Sequence, residues 1–359
     1  MMRPCMLALA ILATWFAKSE CRAEHPLIKL QIDGQWQTGR PVAWSDSAVQ
    51  LLSRDGRLLE FAPQKATNFS KVSNSFRPFS QSEMRGQLLK EFGKGFEVSG
   101  VGHYLVVHPA GTRDQWAPRF EEIYRSFLQY FSARGWRLTE PEFPLVAVVA
   151  KSQAQFVQLA QQQEIDVSPS TLGFYSLLNN RVLLYDVTAG NPKADWSISA
   201  ETIVHETAHQ VAYNTGVHNR FGTTPRWLAE GLGTLFEAKG VWNARANTSI
   251  DSRVNRYRLE AFQALLKKGR PSDSISQLVS GDRMFQTNPE AAYATSWALV
   301  FFLSETQPRK LQELLQKAAQ RKALENYPST SRLEDFTDVL GTNLTMLDAQ
   351  LVRYISGLK

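Results

Sequence analysis

The stretch His205-Glu206-Thr207-Ala208-His209 decides how this chain is interpreted. Its two histidines are four residues apart, so on a helix they lie one turn apart on the same face and can reach one ion. Zinc prefers neutral imidazole nitrogens in a tetrahedral set. Glu206 sits about 100° around the helix from His205, so it can contact water beside the ion without binding the ion itself. The stretch therefore predicts a helix that carries two metal ligands and a base.

The flanking residues support a helix over about 197–214. Ser197 or Ser199 can cap its start, and Gly216 is a natural stop after its end. Between them, apolar residues flank the polar motif at the spacing of a helix that packs against a core.

A third ligand is expected elsewhere, because a catalytic zinc usually has three protein ligands and one open position. Glu230 lies 21 residues past His209, in a second predicted helix over about 224–239. Its neighbours are mostly apolar, and a lone carboxylate there would be costly to bury unless a metal offset that cost. The sequence thus predicts one Zn²⁺ ion held by His205, His209 and Glu230. Gly231 and Gly233 would let this helix pack closely.

Other interpretations of the motif stay open at this point. A pair of histidines four residues apart also occurs on helix surfaces and at structural metal sites. The chain could then be a catalytically inactive zinc-binding scaffold. A zinc hydrolase of a non-peptide amide or ester would use the same residue types. Glu206 favours an enzyme, because a structural site has no need of a base.

The motif followed by Trp227-Leu228-Ala229-Glu230-Gly231 resembles the gluzincin branch of the zinc peptidases. The flanking segments resemble, more specifically, the DUF1570 peptidase-like family. This resemblance covers about residues 96–356 and excludes the N-terminal part of the chain. The segments that carry it are His103 to Pro109, Asn180 to Asp186, Pro225 to Gly231 and Tyr293 to Trp297.

The resemblance implies a zinc metallopeptidase, and with it a set of roles. In gluzincins the two histidines and the distant glutamate bind zinc, which assigns His205, His209 and Glu230. The motif glutamate is the general base, which assigns Glu206. That base takes a proton from water and returns it to the leaving amine. The implied partner is a peptide or protein substrate.

One position departs from the pattern of thermolysin-like members. They have an acidic residue four positions after the third ligand, where it supports a zinc-binding histidine. This chain has Thr234 there. Glu201 and Glu237 are both candidates to replace that support.

The oxyanion of the reaction needs a second donor, and two residues are candidates. Tyr293 is favoured, since gluzincins often use a downstream Tyr or His. The alternative for Tyr293 is packing in the core beside Trp297. His218 is the other candidate donor, unless it is an exposed loop histidine. Residues 181–186 are expected to form an edge strand that pairs with substrate, although an interior strand fits equally well.

The fold class expected is α+β: a zincin-like catalytic domain over 96–359, with a mixed sheet and a mainly helical C-terminal part. Short strands with Asp-Gly turns predict a small antiparallel β-module over 24–70, with an SH3-like barrel as one arrangement. Residues 71–95, rich in Ser, Asn and Gln, are interpreted as a linker. Further helices are predicted at about 113–133, 152–163, 254–268, 289–305, 308–321 and 343–356.

Residues 1–23 have the layout of a signal peptide, with a positive start and a short apolar run. They predict a secreted or periplasmic protein, and no later segment is apolar enough to span a membrane. The only cysteines, Cys5 and Cys21, precede the expected cut, so no disulfide is predicted. A net charge of +6 without a basic cluster argues against nucleic-acid binding.

Overall fold

A computed structural model describes residues 26–111, 115–188, 196–243 and 249–358, and the side chains of 196–199 are left out of the description. The chain forms two compact units: residues up to 84 together with 177–180, and residues 85–176 with 181–359. The predicted signal peptide and both cysteines lie outside the described residues.

The first unit contains a five-stranded antiparallel sheet, as the predicted β-module requires. The strands lie in the order β4-β3-β2-β1-β5. The turn between β1 and β2 has positive φ angles at Asp33 and Gly34, which is the geometry that Asp-Gly favours in a tight hairpin. The buried apolar residues of this sheet include Ile28, Leu30, Val49, Leu51 and Phe61. Its strands are β1 (Leu27–Ile32), β2 (Gln35–Trp44), β3 (Val49–Ser53), β4 (Leu58–Phe61) and β5 (Ala66–Ser73).

The linker interpretation of residues 71–95 was wrong in its secondary structure. The last residues of β5 and the helix α1 (Gln81–Phe92) occupy most of this segment. The strand was missed because nearly all of β5 is solvent-exposed, so its sequence shows no apolar alternation. The helix had a usable signal: Ser80 and Glu83 form a capping box, in which each side chain accepts a hydrogen bond from the other residue's backbone N–H.

The second unit contains a mixed five-stranded sheet in the order β6-β7-β8-β10-β9. Strands β7, β8 and β10 are parallel to their neighbours in that set, while β6 and β9 pair antiparallel at the two edges. The expectation that residues 181–186 form an edge strand was therefore wrong, because β10 is interior and β9 is the edge. The strands are β6 (Phe96–Val101), β7 (Tyr104–Pro109), β8 (Leu145–Ala150), β9 (Gly173–Ser176) and β10 (Arg181–Tyr185).

The remaining elements described in the second unit are helices. The helices predicted from the sequence are found within a few residues of their expected bounds. A helix over 329–340 was missed, because its first turn is polar and only Phe336 and Val339 are buried on it. Three short helices, at 250–253, 274–280 and 283–287, were also missed. Among the described helices, none combines the length and apolar character that crossing a membrane requires. They are α2 (Ala117–Ser132), α3 (Gln153–Gln161), α4 (Trp196–Asn214), α5 (Arg226–Phe236), α6 (Lys239–Trp242), α7 (Ile250–Arg253), α8 (Arg256–Lys267), α9 (Ser274–Ser280), α10 (Arg283–Thr287), α11 (Pro289–Thr306), α12 (Pro308–Ala319), α13 (Ser329–Leu340) and α14 (Leu344–Ser356).

Three helices build the frame around the candidate site. Helix α5 packs against both α4 and α11. Helix α11 has twelve buried residues, eleven of them consecutive. Helix α4 packs against α2, β9 and β10, so the motif is held between the sheet and the helical part of the unit.

Candidate metal centre

Helix α4 brings the two motif histidines to one point. Their rings meet edge to face at 4.6 Å, and the two Nε2 atoms are 3.0 Å apart. The helix buries Ile203, Val204 and Ala208 against the core, which fixes the rotation of the helix and so the direction of both imidazoles.

Glu230 on α5 completes the cluster, as predicted. Its Oε2 atom lies 3.4 Å from Nε2 of His205 and 3.5 Å from Nε2 of His209. These three residues form a group whose ligand atoms all lie within 4.8 Å of one another. Zinc–nitrogen bonds of about 2.0–2.1 Å at tetrahedral angles would separate ligand atoms by about 3.3 Å. The distances thus match the edges of a tetrahedral site.

The glycines of α5 permit two close approaches. A Cβ atom on Gly233 would lie 2.8 Å from Cε1 of His205, so the imidazole fits only because this position is glycine. A Cβ atom on Gly231 would lie 2.5 Å from Cγ2 of Val300 and 2.7 Å from the carbonyl oxygen of Ser296, both on α11. The predicted close packing of α5 is confirmed, and it involves α11 as well as α4.

Glu237 provides the carboxylate beside His205 that position 234, a threonine in this chain, does not provide. Its Oε1 atom lies 2.8 Å from Nδ1 of His205, and its Oε2 accepts a hydrogen bond of 2.6 Å from Nδ2 of Asn255. Since a carboxylate accepts, Nδ1 of His205 carries the proton and Nε2 keeps its lone pair for the cluster. The Thr234 hydroxyl instead donates to the Glu230 carbonyl oxygen within α5.

The chemistry of the donor set fits a divalent cation. With the His205 proton on Nδ1, lone pairs of His205, His209 and Glu230 point at a common position. Three such lone pairs repel one another unless a proton or a cation lies between them. Two imidazoles and one carboxylate are a ligand set of catalytic zinc.

The pKa values of His205 and Glu230 in the folded protein also reflect the close contact between these side chains. Burial opposes the charged form of His205, but hydrogen bonds to Glu230 and Glu237 outweigh it and raise its pKa well above the ordinary value. Burial also opposes ionisation of Glu230, but hydrogen bonds from His205 and His209 hold its pKa well below the usual range. A proton therefore stays within the cluster when no cation neutralises the carboxylate.

Glu206 lies beside the cluster and contacts the edge strand. Its Oε2 atom accepts a hydrogen bond of 2.7 Å from the backbone N–H of Tyr175 on β9. Burial raises the pKa of Glu206, and the neighbouring histidines oppose that rise. A carboxylate with a raised pKa is a stronger base than an exposed one, which suits general-base catalysis.

A cleft of about 670 Å³ opens over these residues. Its wall includes Gly173 of β9, His205 and Glu206 of α4, and Tyr293 of α11. Gly173 is needed there, because a Cβ atom would lie 2.9 Å from Cβ of Leu184 and 3.1 Å from the methyl group of Thr202.

The structure places Tyr293 in this cleft and His218 outside its described lining. The half-buried ring of Tyr293 meets Phe285 at 5.3 Å, while Trp297 stacks on Phe301 instead. Burial and the charge of Glu230 raise the pKa of Tyr293 to about 12.

His218 is a buried residue and not an exposed loop histidine. Its ring packs 4.9 Å from that of Tyr213, and it lines a separate cavity of about 340 Å³. Burial lowers its pKa to about 3, so it is neutral at ordinary pH.

Two contacts of the site were not foreseen from the sequence. The backbone N–H of Tyr175 carries no sequence signal, because any residue on the edge strand would offer it. Asn255 had a partial signal, since it caps α8 by accepting a hydrogen bond from the backbone N–H of Arg258. Its bond to Glu237 depends on tertiary packing alone.

Comparison with known proteins gives one family match. The model of a family described as "Protein of unknown function (DUF1570)" matches residues 199–325, within the range predicted from the sequence. The match includes most of α4 and all of α5 and α11, the helices that provide the predicted ligands and Tyr293. No curated protein matches the chain.

Among solved structures, the chain is similar to an M1 zinc metallopeptidase from Deinococcus radiodurans, at 11% identity and a TM-score of 0.40 over 72% of this chain and 50% of that one. A mutant of an M1 zinc metallopeptidase from the same organism, bound to a Tyr-Ser-Ala substrate, gives 12% identity and a TM-score of 0.39 over 74% and 52%. The chain spans about half the length of these structures.

Proposed function

We propose that this protein is a zinc-dependent peptidase. The observation that supports the proposal is the convergence of His205, His209 and Glu230 on one position, next to the carboxylate of Glu206 in an open cleft. A structural site would need the three ligands but neither the base nor the cleft. The signal peptide predicted for residues 1–23 extends the proposal to an exported enzyme, which fractionation of producing cells would test.

The three ligands would hold the ion, and bound zinc supplies Lewis-acid chemistry that polarises a carbonyl and acidifies water. Glu206 removes the proton from the attacking water and passes it to the leaving amine. Its hydrogen bond from Tyr175 fixes one carboxylate oxygen and leaves the other for this transfer. Tyr293 stays protonated at neutral pH, since its pKa is about 12, and can donate to the developing oxyanion.

Strand β9 is the part of the site that suits an extended peptide. It is the edge of its sheet, and Gly173 borders the cleft. An edge strand offers backbone donors and acceptors to an added strand. This contact recognises peptide backbone and supports peptides over other amides as the substrate class.

The substitution Glu206→Gln tests the proposal. It keeps the size and the hydrogen-bond acceptor for Tyr175 but removes the base, so hydrolysis should fall by about 10²–10⁴-fold. Digestion of a peptide library should show this loss, while metal analysis should show zinc still bound. Wild-type levels of hydrolysis by the zinc-loaded variant would contradict the assignment of Glu206.

A further inference from the structure

Arg258 places a guanidinium in the wall of the cleft. The guanidinium of Arg258, on the first turn of α8, is 5.0 Å from the ring of Tyr293 and 5.1 Å from that of Tyr257. The side chain is half-buried, and its Nε atom is shielded from solvent without a hydrogen-bond partner. Within the described part of the chain, no carboxylate pairs with this guanidinium.

Five other shielded arginines among the described residues differ from Arg258 because each has an acidic partner. A guanidinium offers five donors in a rigid fork, and burying them unpaired is costly. Five arginines whose side chains are largely buried each contact a carboxylate. These pairs are Arg181 with Glu91, Arg253 with Glu305, Arg270 with Asp348, Arg321 with Asp335 and Arg332 with Asp282.

Two acidic groups beside the metal ligands already have partners. Glu237 bonds to His205 and Asn255, and Glu206 bonds to the backbone of Tyr175. These contacts hold both carboxylates at the metal centre. A molecule that enters the cleft can therefore supply a carboxylate to Arg258 without displacing either of them.

The position of Arg258 is tied to the metal centre through one residue. Asn255 accepts a hydrogen bond of 3.1 Å from the backbone N–H of Arg258 and donates to Glu237, which in turn holds His205. The two aromatic rings restrict the guanidinium further through cation–π contacts. An arginine held in this way is pre-organised for a ligand at a fixed distance from the reacting atoms.

We propose that Arg258 binds a carboxylate of the peptide substrate and makes the enzyme prefer peptides that present one beside Tyr293. This inference rests on the proposed function. The carboxylate is either the side chain of an Asp or Glu near the scissile bond or the free C-terminus of the peptide. Both would make a bidentate pair with the guanidinium beside Tyr293.

The test compares kcat/KM for matched fluorogenic peptides. One arm replaces Glu by Gln at each position in turn, and the other replaces a free C-terminus by an amide. In one arm, the acidic member should be preferred by roughly 10- to 100-fold, the usual value of a hydrogen bond to a charged group. The arm that shows the preference identifies the source of the carboxylate.

Variants of Arg258 assign the preference to this residue. Arg258→Gln should remove it, Arg258→Lys should keep part of it, and Arg258→Glu should invert it towards Lys-containing peptides. Arg256→Gln is the matched control, because it removes a positive charge two residues earlier on the same helix and should keep the preference. Thermal melting curves check that each variant is folded.

Three outcomes distinguish the role of Arg258 from the proposed peptidase activity. If the wild-type protein hydrolyses both members equally in both arms, the inference is overturned and the peptidase remains intact. Equal loss on both peptides in Arg258→Gln also overturns it, because the arginine then acts only through Tyr293. If zinc-loaded wild-type protein hydrolyses no peptide, the proposed function fails. Fluorescence anisotropy can then compare the binding of the Glu and Gln peptides to the Glu206→Gln protein. This comparison still decides whether Arg258 selects a carboxylate.

Discussion

At the scale of single residues, the convergence of His205, His209 and Glu230 could be predicted from the sequence. Helix periodicity alone places His205 and His209 on one face, whatever surrounds them. The choice between Glu201 and Glu237 could not be made, because it depends on how the end of α5 lies against α4. The structure selects Glu237, at 2.8 Å from Nδ1 of His205.

Glu237 gives the first prediction at this scale. Glu237→Gln keeps an acceptor for Nδ1 of His205 but removes the negative charge that makes the imidazole a stronger ligand. Zinc affinity should fall by about 10–100-fold, as measured by competition with a chromogenic chelator. Glu201→Gln is the control and should bind zinc like the wild-type protein. The reverse ranking of the two variants would show that Glu201 provides the support.

Tyr293 gives the second prediction. Tyr293→Phe removes the phenol hydroxyl and keeps the ring that packs on Phe285 and Arg258. The loss of one oxyanion donor should lower kcat by about 10²–10³-fold, with little change in KM or zinc content. Steady-state kinetics would measure this split. A wild-type kcat would leave Tyr293 as a wall of the cleft with no part in catalysis.

At the scale of elements, helices with strong apolar periodicity could be predicted from the sequence. Elements with few buried apolar residues, such as α13 and β5, were missed. Helices α4 and α5 were expected from the motif and the apolar positions. Residues 181–185 were recognised as a strand, but their place in the sheet was not. A run of buried residues fits an edge strand or an interior one, and only pairing with β8 and β9 decides.

The close approach of α4 and α5 gives a prediction for Gly233. Gly233→Ala would place a Cβ atom 2.8 Å from the imidazole of His205, which must then move away from the other ligands. Although alanine favours a helix by about 1 kcal/mol over glycine, zinc affinity should fall by about 10-fold or more. Chelator competition and thermal melting together would measure both effects.

Gly86→Ala is the matched control for this substitution. Gly86 also lies within a helix, α1, but a Cβ atom there would meet nothing within 4 Å. The control should melt at the same temperature or higher and should bind zinc normally. Unchanged zinc binding in Gly233→Ala would contradict the claim that the glycine makes room for His205.

At the scale of the whole molecule, the α+β composition and the antiparallel β-module followed from the sequence, while the structure of residues 71–95 did not. Ser- and Gln-rich composition suggested a linker, yet Ser80 and Glu83 cap a helix there and Met84 and Leu88 are fully buried. Burial of a few residues outweighs polar composition when it anchors one face of a helix. Composition alone cannot show which residues make that face.

The proposed activity depends on one zinc ion bound by ligands from α4 and α5. The most direct test is the zinc content of the purified protein by mass spectrometry of the metal. We expect about one zinc per chain in the wild-type protein and in Glu206→Gln, and a large loss in Glu230→Ala, which removes one of three ligands. A wild-type protein without zinc affinity, or full zinc content in Glu230→Ala, would contradict the assignment of this site.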